Sequence, residues 1–150
     1  MEFNSAKEKL TVQVVTPEKE VFAAEDVLSV FVNSDLGTLT ILPGQTPLVA
    51  NLVVGELEIK TIAQTSIFAI TDGVLKVDQK SKITLLVDQA ISPEEVDVAA
   101  AEEARKRAEE YLAQQENMAD IEYAKIEAEI QKELAKIAVA KYRRSTKPTT

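Results

Sequence analysis

The chain has no histidine and no cysteine among its 150 residues, and these two absences remove much of enzyme chemistry. Without histidine there is no imidazole base, no His–Asp relay and no imidazole metal ligand. Without cysteine there is no thiolate nucleophile, no disulfide, no zinc finger and no iron–sulfur cluster. A metal would need an all-oxygen site, and no D-x-[DN]-x-[DN]-G loop occurs. Neither G-x-x-x-x-G-K-[ST] nor G-x-G-x-x-G occurs, so the usual phosphate cradles are missing. No run approaches the ~18 consecutive apolar residues of a membrane span. Residues 1–9 lack the apolar core of a secretory signal. Basic charge is scarce too: 17 Lys and Arg face 25 Asp and Glu, a net of −8. That balance argues against nucleic acid or an anionic membrane as a general partner, and against direct lipid insertion. The lack of cysteine fits the cytoplasm.

What is present divides near Ser92. All four glycines, Gly37, Gly44, Gly55 and Gly73, lie before it. The first part is a series of short β-branched runs. Residues 10–15 read Leu-Thr-Val-Gln-Val-Val. Leu28, Val30 and Val32 alternate with Ser29, Phe31 and Asn33, and Glu56-Leu57-Glu58-Ile59-Lys60 is a clean period of two. Further runs lie at 38–41, 67–71, 74–77 and 83–87. Period two punctuated by Gly, Pro, Asn and Asp is the strand signature. The spacing predicts an antiparallel β-sandwich or flattened barrel of about ten strands over residues 10–91.

The second part, residues 92–144, is expected to be a two-helix antiparallel hairpin. Ser92, Pro93 and Glu95 have the spacing of a capping box with proline at the first helical position, and predict a helix from Pro93 to Gln115. Asn117 and Asp120 mark a break. A second helix is expected from about Met118 to Tyr142. On it Tyr123, Ile126, Ile130, Leu134 and Ile137 form a bulky stripe, and Ala124, Ala128, Ala135, Ala138 and Tyr142 a small one. Lys125, Glu129, Lys132 and Lys136 fill the side assigned to water. One broad face packing on both the first helix and the β module accounts for two stripes; a helix with two alternative partners does so equally. Residues 1–9 and 145–150 are expected to be flexible ends.

Charge is uneven along this part. Residues 93–133 hold 13 acidic and five basic residues; residues 134–150 hold five basic and no acidic ones. Cations near a helix end complement its dipole, which explains Lys141, Arg143 and Arg144 without a partner. A contact with an acidic partner surface is the other reading. The paired carboxylates Glu25-Asp26, Glu94-Glu95, Glu102-Glu103 and Glu109-Glu110 look like solvated turn or helix charges, and nothing points to an enzyme.

Several segments, in order, resemble one family. Leu10-Thr11-Val12-Gln13-Val14-Val15-Thr16-Pro17 is similar to the first strand of the epsilon subunit of the F-type (rotary) ATP synthase, called delta in mitochondria. The run from Gly37 through Ile41-Leu42-Pro43-Gly44-Gln45-Thr46-Pro47-Leu48 resembles its G-x-L-G-I-L-P-G-H-x-P-L signature. Asp72-Gly73-Val74-Leu75-Lys76-Val77 and Asp120-Ile121-Glu122-Tyr123-Ala124 resemble a later strand and the last helix. Departures are Gln45 for the usual His, and Thr40 and Asp72 for the usual Gly.

The resemblance implies a non-catalytic central-stalk subunit that joins the gamma subunit to the c-ring and turns with them. Such a subunit works at the cytoplasmic face of the plasma membrane, or the matrix face in a mitochondrion. Thr38, Leu39, Pro43 and Gln45 would face the c-ring, and apolar positions of the sandwich would face gamma. The helices would fold on the sandwich or extend into the alpha/beta head, where Lys136, Lys141, Arg143 and Arg144 would meet a beta subunit and resist hydrolysis. The family's nucleotide motif [IL]-D-x-x-R-A corresponds to Val96-Asp97-Val98-Ala99-Ala100-Ala101. Asp97 is kept, Arg107 remains as a phosphate contact, and Ile91 stands where a Glu often helps. Ala100 replaces the motif Arg and removes a charge-assisted donor, so weak or no ATP binding is expected and no cofactor is implied. A free-standing protein-binding adaptor and a nucleotide-sensing subunit are the competing readings.

Overall fold

The computed structural model describes residues 9–115 and 117–146, with side chains as far as Lys141. Among these the chain forms nine strands: β1 (Leu10–Val15), β2 (Glu20–Ser34), β3 (Gly37–Ile41), β4 (Leu48–Leu52), β5 (Gly55–Thr61), β6 (Thr65–Ile70), β7 (Gly73–Val77), β8 (Lys82–Val87) and β9 (Ala90–Ile91). A 3-10 turn (Pro93–Glu95) leads to α1 (Val98–Gln114) and α2 (Asp120–Thr146).

The alternation read from sequence decides which side chains enter the core. On β5, Leu57 and Ile59 are buried while Glu56, Glu58 and Lys60 face outward. Leu10, Val12 and Val14 do the same on β1, and Val30 and Val32 on β2. Seventeen buried residues from eight of the strands form one cluster, with Phe22 edge-on to Phe68 at 5.9 Å between centroids. The strands run in the order β1-β8-β7-β4-β2-β5-β6-β9, with β3 on β2. Because β1 also pairs with β2, the path closes on itself, so the flattened-barrel description holds as well as the sandwich.

One pair differs from an all-antiparallel expectation. β1 and β8 run parallel, Val12 opposite Ile83 and Val14 opposite Leu85. The antiparallel strands between them return the chain to β1, so no crossover helix is needed. The 15-residue β2 serves two neighbourhoods: its first half pairs with β1 and its second with β3 and β5. Register shifts between Leu10 and Val12 and between Val27 and Ser29 let it bend between them. At the β7 start, Gly73 lies so close to β8 that a Cβ would strike the Leu86 carbonyl oxygen. In the β7–β8 turn, Asp78 accepts backbone N–H bonds from Lys82 and Lys80, which hold its carboxyl below the usual range.

The start of the helical part departs from expectation. Glu95 does accept the Ser92 N–H, at 2.9 Å, but Pro93 opens only a 3-10 turn. Val96 and Asp97 then return to extended backbone. Asp97 is the cap of α1: its Oδ1 accepts the Ala100 N–H at 3.1 Å. A short polar side chain that satisfies a free N–H of the first turn fixes the helix start there, overriding the proline signal. α2 continues to Thr146, past the expected end.

Candidate functional site

The hairpin rests on the sandwich through a small apolar contact. Ile67-Phe68-Ala69-Ile70 of β6 is buried at all four positions, because both faces of the strand are covered. Phe68 and Ile70 face the sandwich core. Ile67 and Ala69 face outward and meet Ala135 and Val139 of α2, with Val54 and Ile91 at the margin. Full burial of a valine contributes roughly 1.5–3 kcal/mol, so a patch of this size docks the hairpin without welding it. Glu56 and Glu58 lie on the same face, opposite Ala69 and Ile67. Burial first, and then the Glu58 carboxylate, raises the pKa of Glu56.

Beside this contact the two units leave a cavity of about 890 Å³. The Thr16–Pro17 turn and Asp88–Gln89 loop line it on the sandwich side; α1 and α2 line the other side. It gathers the four positions singled out for nucleotide, Ile91, Asp97, Ala100 and Arg107. Yet Asp97 caps α1, Ala100 offers only a methyl group, and the exposed Arg107 pairs with Glu103 at 4.0 Å. Around the walls Glu18, Asp88, Glu95, Asp97 and Glu133 stand against Lys19, Arg107, Lys132 and Lys136. Five acids and four bases leave the lining mixed in charge.

Two of these residues lie where the helical wheel does not place them. The wheel assigns Lys132 and Lys136 to the wet side of α2, but both are half-buried cavity walls. Glu133 is 5% exposed, and Lys136 Nζ reaches its Oε1 at 3.4 Å. No sequence signal separates this i,i+3 pair from the solvated charges around it.

The other candidates lie apart from the cavity. Gly44 has φ +81, as the third position of a Pro-Gly turn requires, and Gln45 Oε1 accepts the Leu42 N–H at 2.7 Å. The turn is thus braced from within. Thr38 and Gln45 are exposed and Pro43 half-buried, whereas Leu39 packs against the core. At the basic end, Lys141 is exposed. The backbone of Arg143 and Arg144 belongs to α2, but their side chains lie outside the described residues.

A third surface is the outward face of β4, β7 and β8. It carries Val49, Asn51, Val74, Lys76, Lys82, Thr84 and Leu86, with no carboxylate, in a chain of net −8. Val49 is 69%, Leu86 55% and Val74 39% exposed, and Val74 and Leu86 are cross-strand neighbours.

Residues 9–93 match the family model of the ATP synthase delta/epsilon chain beta-sandwich domain, and residues 94–141 that of its long alpha-helix domain. The chain belongs to the ATP synthase delta/epsilon family. Among relatives in that family, the ATP synthase epsilon chain of Priestia megaterium is 43% identical over 98 residues, covering 65% of this chain and 72% of the relative. That of Pediococcus pentosaceus is 30% identical over 134 residues, covering 89% and 96%. The fold is similar to a chain in the mitochondrial ATP synthase of Euglena gracilis, with a TM-score of 0.73 at 18% identity over 90% of this chain and 82% of that one. A chain in the central stalk and c-ring of the Tetrahymena thermophila enzyme gives 0.64 at 16%, over 89% and 98%. Among the described residues no helix is long and apolar enough to cross a membrane. No cluster of three or more acidic side chains among them could hold a metal.

Proposed function

We propose that the chain is the non-catalytic rotor subunit of an F-type ATP synthase, coupling gamma to the c-ring at the membrane surface. The observation that carries this reading is the acid-free outward face of β4, β7 and β8, with exposed Val49, Val74 and Leu86, on a strongly acidic chain. Exposed apolar side chains in a contiguous patch mark a protein interface. Gamma is the partner that fits it. The braced turn at Pro43–Gln45 and the adjoining Thr38 would meet the c-ring; Leu39 supports them from the core side. A closed β-barrel with a continuous core is stiff, which suits transmission of torque. The hairpin, held by one small patch, is the regulatory part: released, it presents Lys141, Arg143 and Arg144 to the alpha/beta head.

Hydrolysis of ATP by the alpha/beta head with gamma tests the assignment. Full-length chain is expected to slow hydrolysis, and a fragment ending at Ile91 is expected to bind gamma without slowing it. Equal inhibition by both would remove the hairpin from the regulation. Failure of both to bind the cognate gamma would sink the rotor assignment.

Ligand binding has its own expectation. With Ala100 in place of the motif Arg and a cavity wall of mixed charge, calorimetry is expected to give no saturable ATP binding at micromolar concentrations. A saturable isotherm in that range would refute it.

A further inference from the structure

We infer that the Glu133–Lys136 pair is a charge latch, which sets how firmly the hairpin docks on the sandwich without any nucleotide in the cavity. Ala135 and Val139 point at β6. Lys132, Glu133 and Lys136 line the trough between α1, α2 and the sandwich loops. With the hairpin undocked, the sandwich wall of that trough is gone and both charges meet water. Docking therefore strips water from Glu133, leaving it 5% exposed, while the Lys136 side chain keeps 23%.

A buried carboxylate is tolerated when paired and is strongly destabilising when its partner is removed. The two members of the pair are consequently unequal. Lysine can lose its partner and still send its ammonium to solvent along its flexible stem. Glutamate cannot. Docking thus depends on Lys136 only because Glu133 is there, and the pair tunes docking where a ligand could have done so. The mixed walls and Ala100 leave no competing anion site.

The chain lacks cysteine, so two introduced cysteines report distance cleanly. Leu36→Cys in the exposed β2–β3 turn and Ile121→Cys at the exposed start of α2 would carry spin labels on the full chain. Dipolar spectroscopy should give one dominant distance for the parent. In Lys136→Met the displaced population should rise about tenfold, equivalent to about 1.4 kcal/mol. Glu133→Leu should stay docked. The double variant Glu133→Leu/Lys136→Met should return to the parent distribution. Millimolar ATP should move none of them.

A merely structural lysine would not be rescued by a change at residue 133, so failure of rescue overturns the latch. So does a docked Lys136→Met, which would mean that Lys132 or packing alone suffices. Loss of helical circular dichroism in Lys136→Met would assign the pair to the hairpin's own fold and overturn it too. A shift with ATP would overturn the nucleotide-free part. The experiment needs only the isolated chain, so its outcome is separate from that of gamma binding.

Discussion

Leu86→Asp combined with Val74→Asp is expected to abolish retention of the chain on immobilised gamma, with affinity lowered by about three orders of magnitude. The two positions face each other across β7 and β8, with exposed Val49 on the next strand. Anchors at the centre of an interface each contribute about 2 kcal/mol or more, and two such losses exceed about 4 kcal/mol. At about 1.4 kcal/mol per decade that is roughly a thousandfold. The introduced carboxylates add a desolvation cost on a face that otherwise carries only lysines as charge. Both side chains point away from the core, so thermal unfolding should stay close to that of the parent. Ile62→Asp, at a still more exposed position in the β5–β6 turn, is the control and should bind normally. Parent-like retention of the double variant would place gamma on another surface.

Legibility in the sequence depends on whether one period controls a segment. Glu56–Lys60 alternates because one face is core and the other is not, and β5 falls where that pattern lies. The first half of β2 carries Glu20, Glu25 and Asp26 and shows no such pattern. It pairs with β1 alone and lies at the margin of the core, where Val21, Phe22 and Ala24 are only half-buried, so packing imposes a weak alternation on it. The helix start is ambiguous because Pro93 and Asp97 both supply start signals, and only the extended backbone at Val96 and Asp97 decides between them.

The candidate sites show the same division. The Pro-Gly turn is legible, since backbone conformation alone demands it. Leu39 turns inward, against its assignment to the c-ring surface, although its alternation with Thr38 and Thr40 already signals that. The hairpin's docking strand has a signal in the unbroken apolar run of residues 67–70, which suits a strand covered on both faces. The burial of Glu133 has none. Its spacing on the helix is that of ordinary surface charges, and it lines a cavity whose other walls come from the sandwich and α1.

Val139→Asp is expected to separate the hairpin from the sandwich without unfolding the latter. Val139 is fully buried between Ile67, Ala69 and Ala135. A carboxylate there would lose its water among apolar side chains, at a cost of several kcal/mol. The apolar burial that favours docking is of the same order or smaller, since Ala135 and Ala69 contribute little beyond a methyl group each. The docked state should become the minor one. The sandwich keeps its own seventeen-residue core and should still melt cooperatively. The detached helices are another matter. They keep only each other to pack on, and helices in proteins draw most of their stability from packing rather than from propensity. Hydrogen exchange over α2 from Ile130 to Ala140 should accelerate by about a hundredfold, or about 2.8 kcal/mol of lost protection. Exchange in β1, β7 and β8 should not change. Uniform acceleration through the sandwich would show that the hairpin is an integral layer of the fold, and unchanged exchange in α2 would show that the hairpin's own seam, not β6, holds it in place.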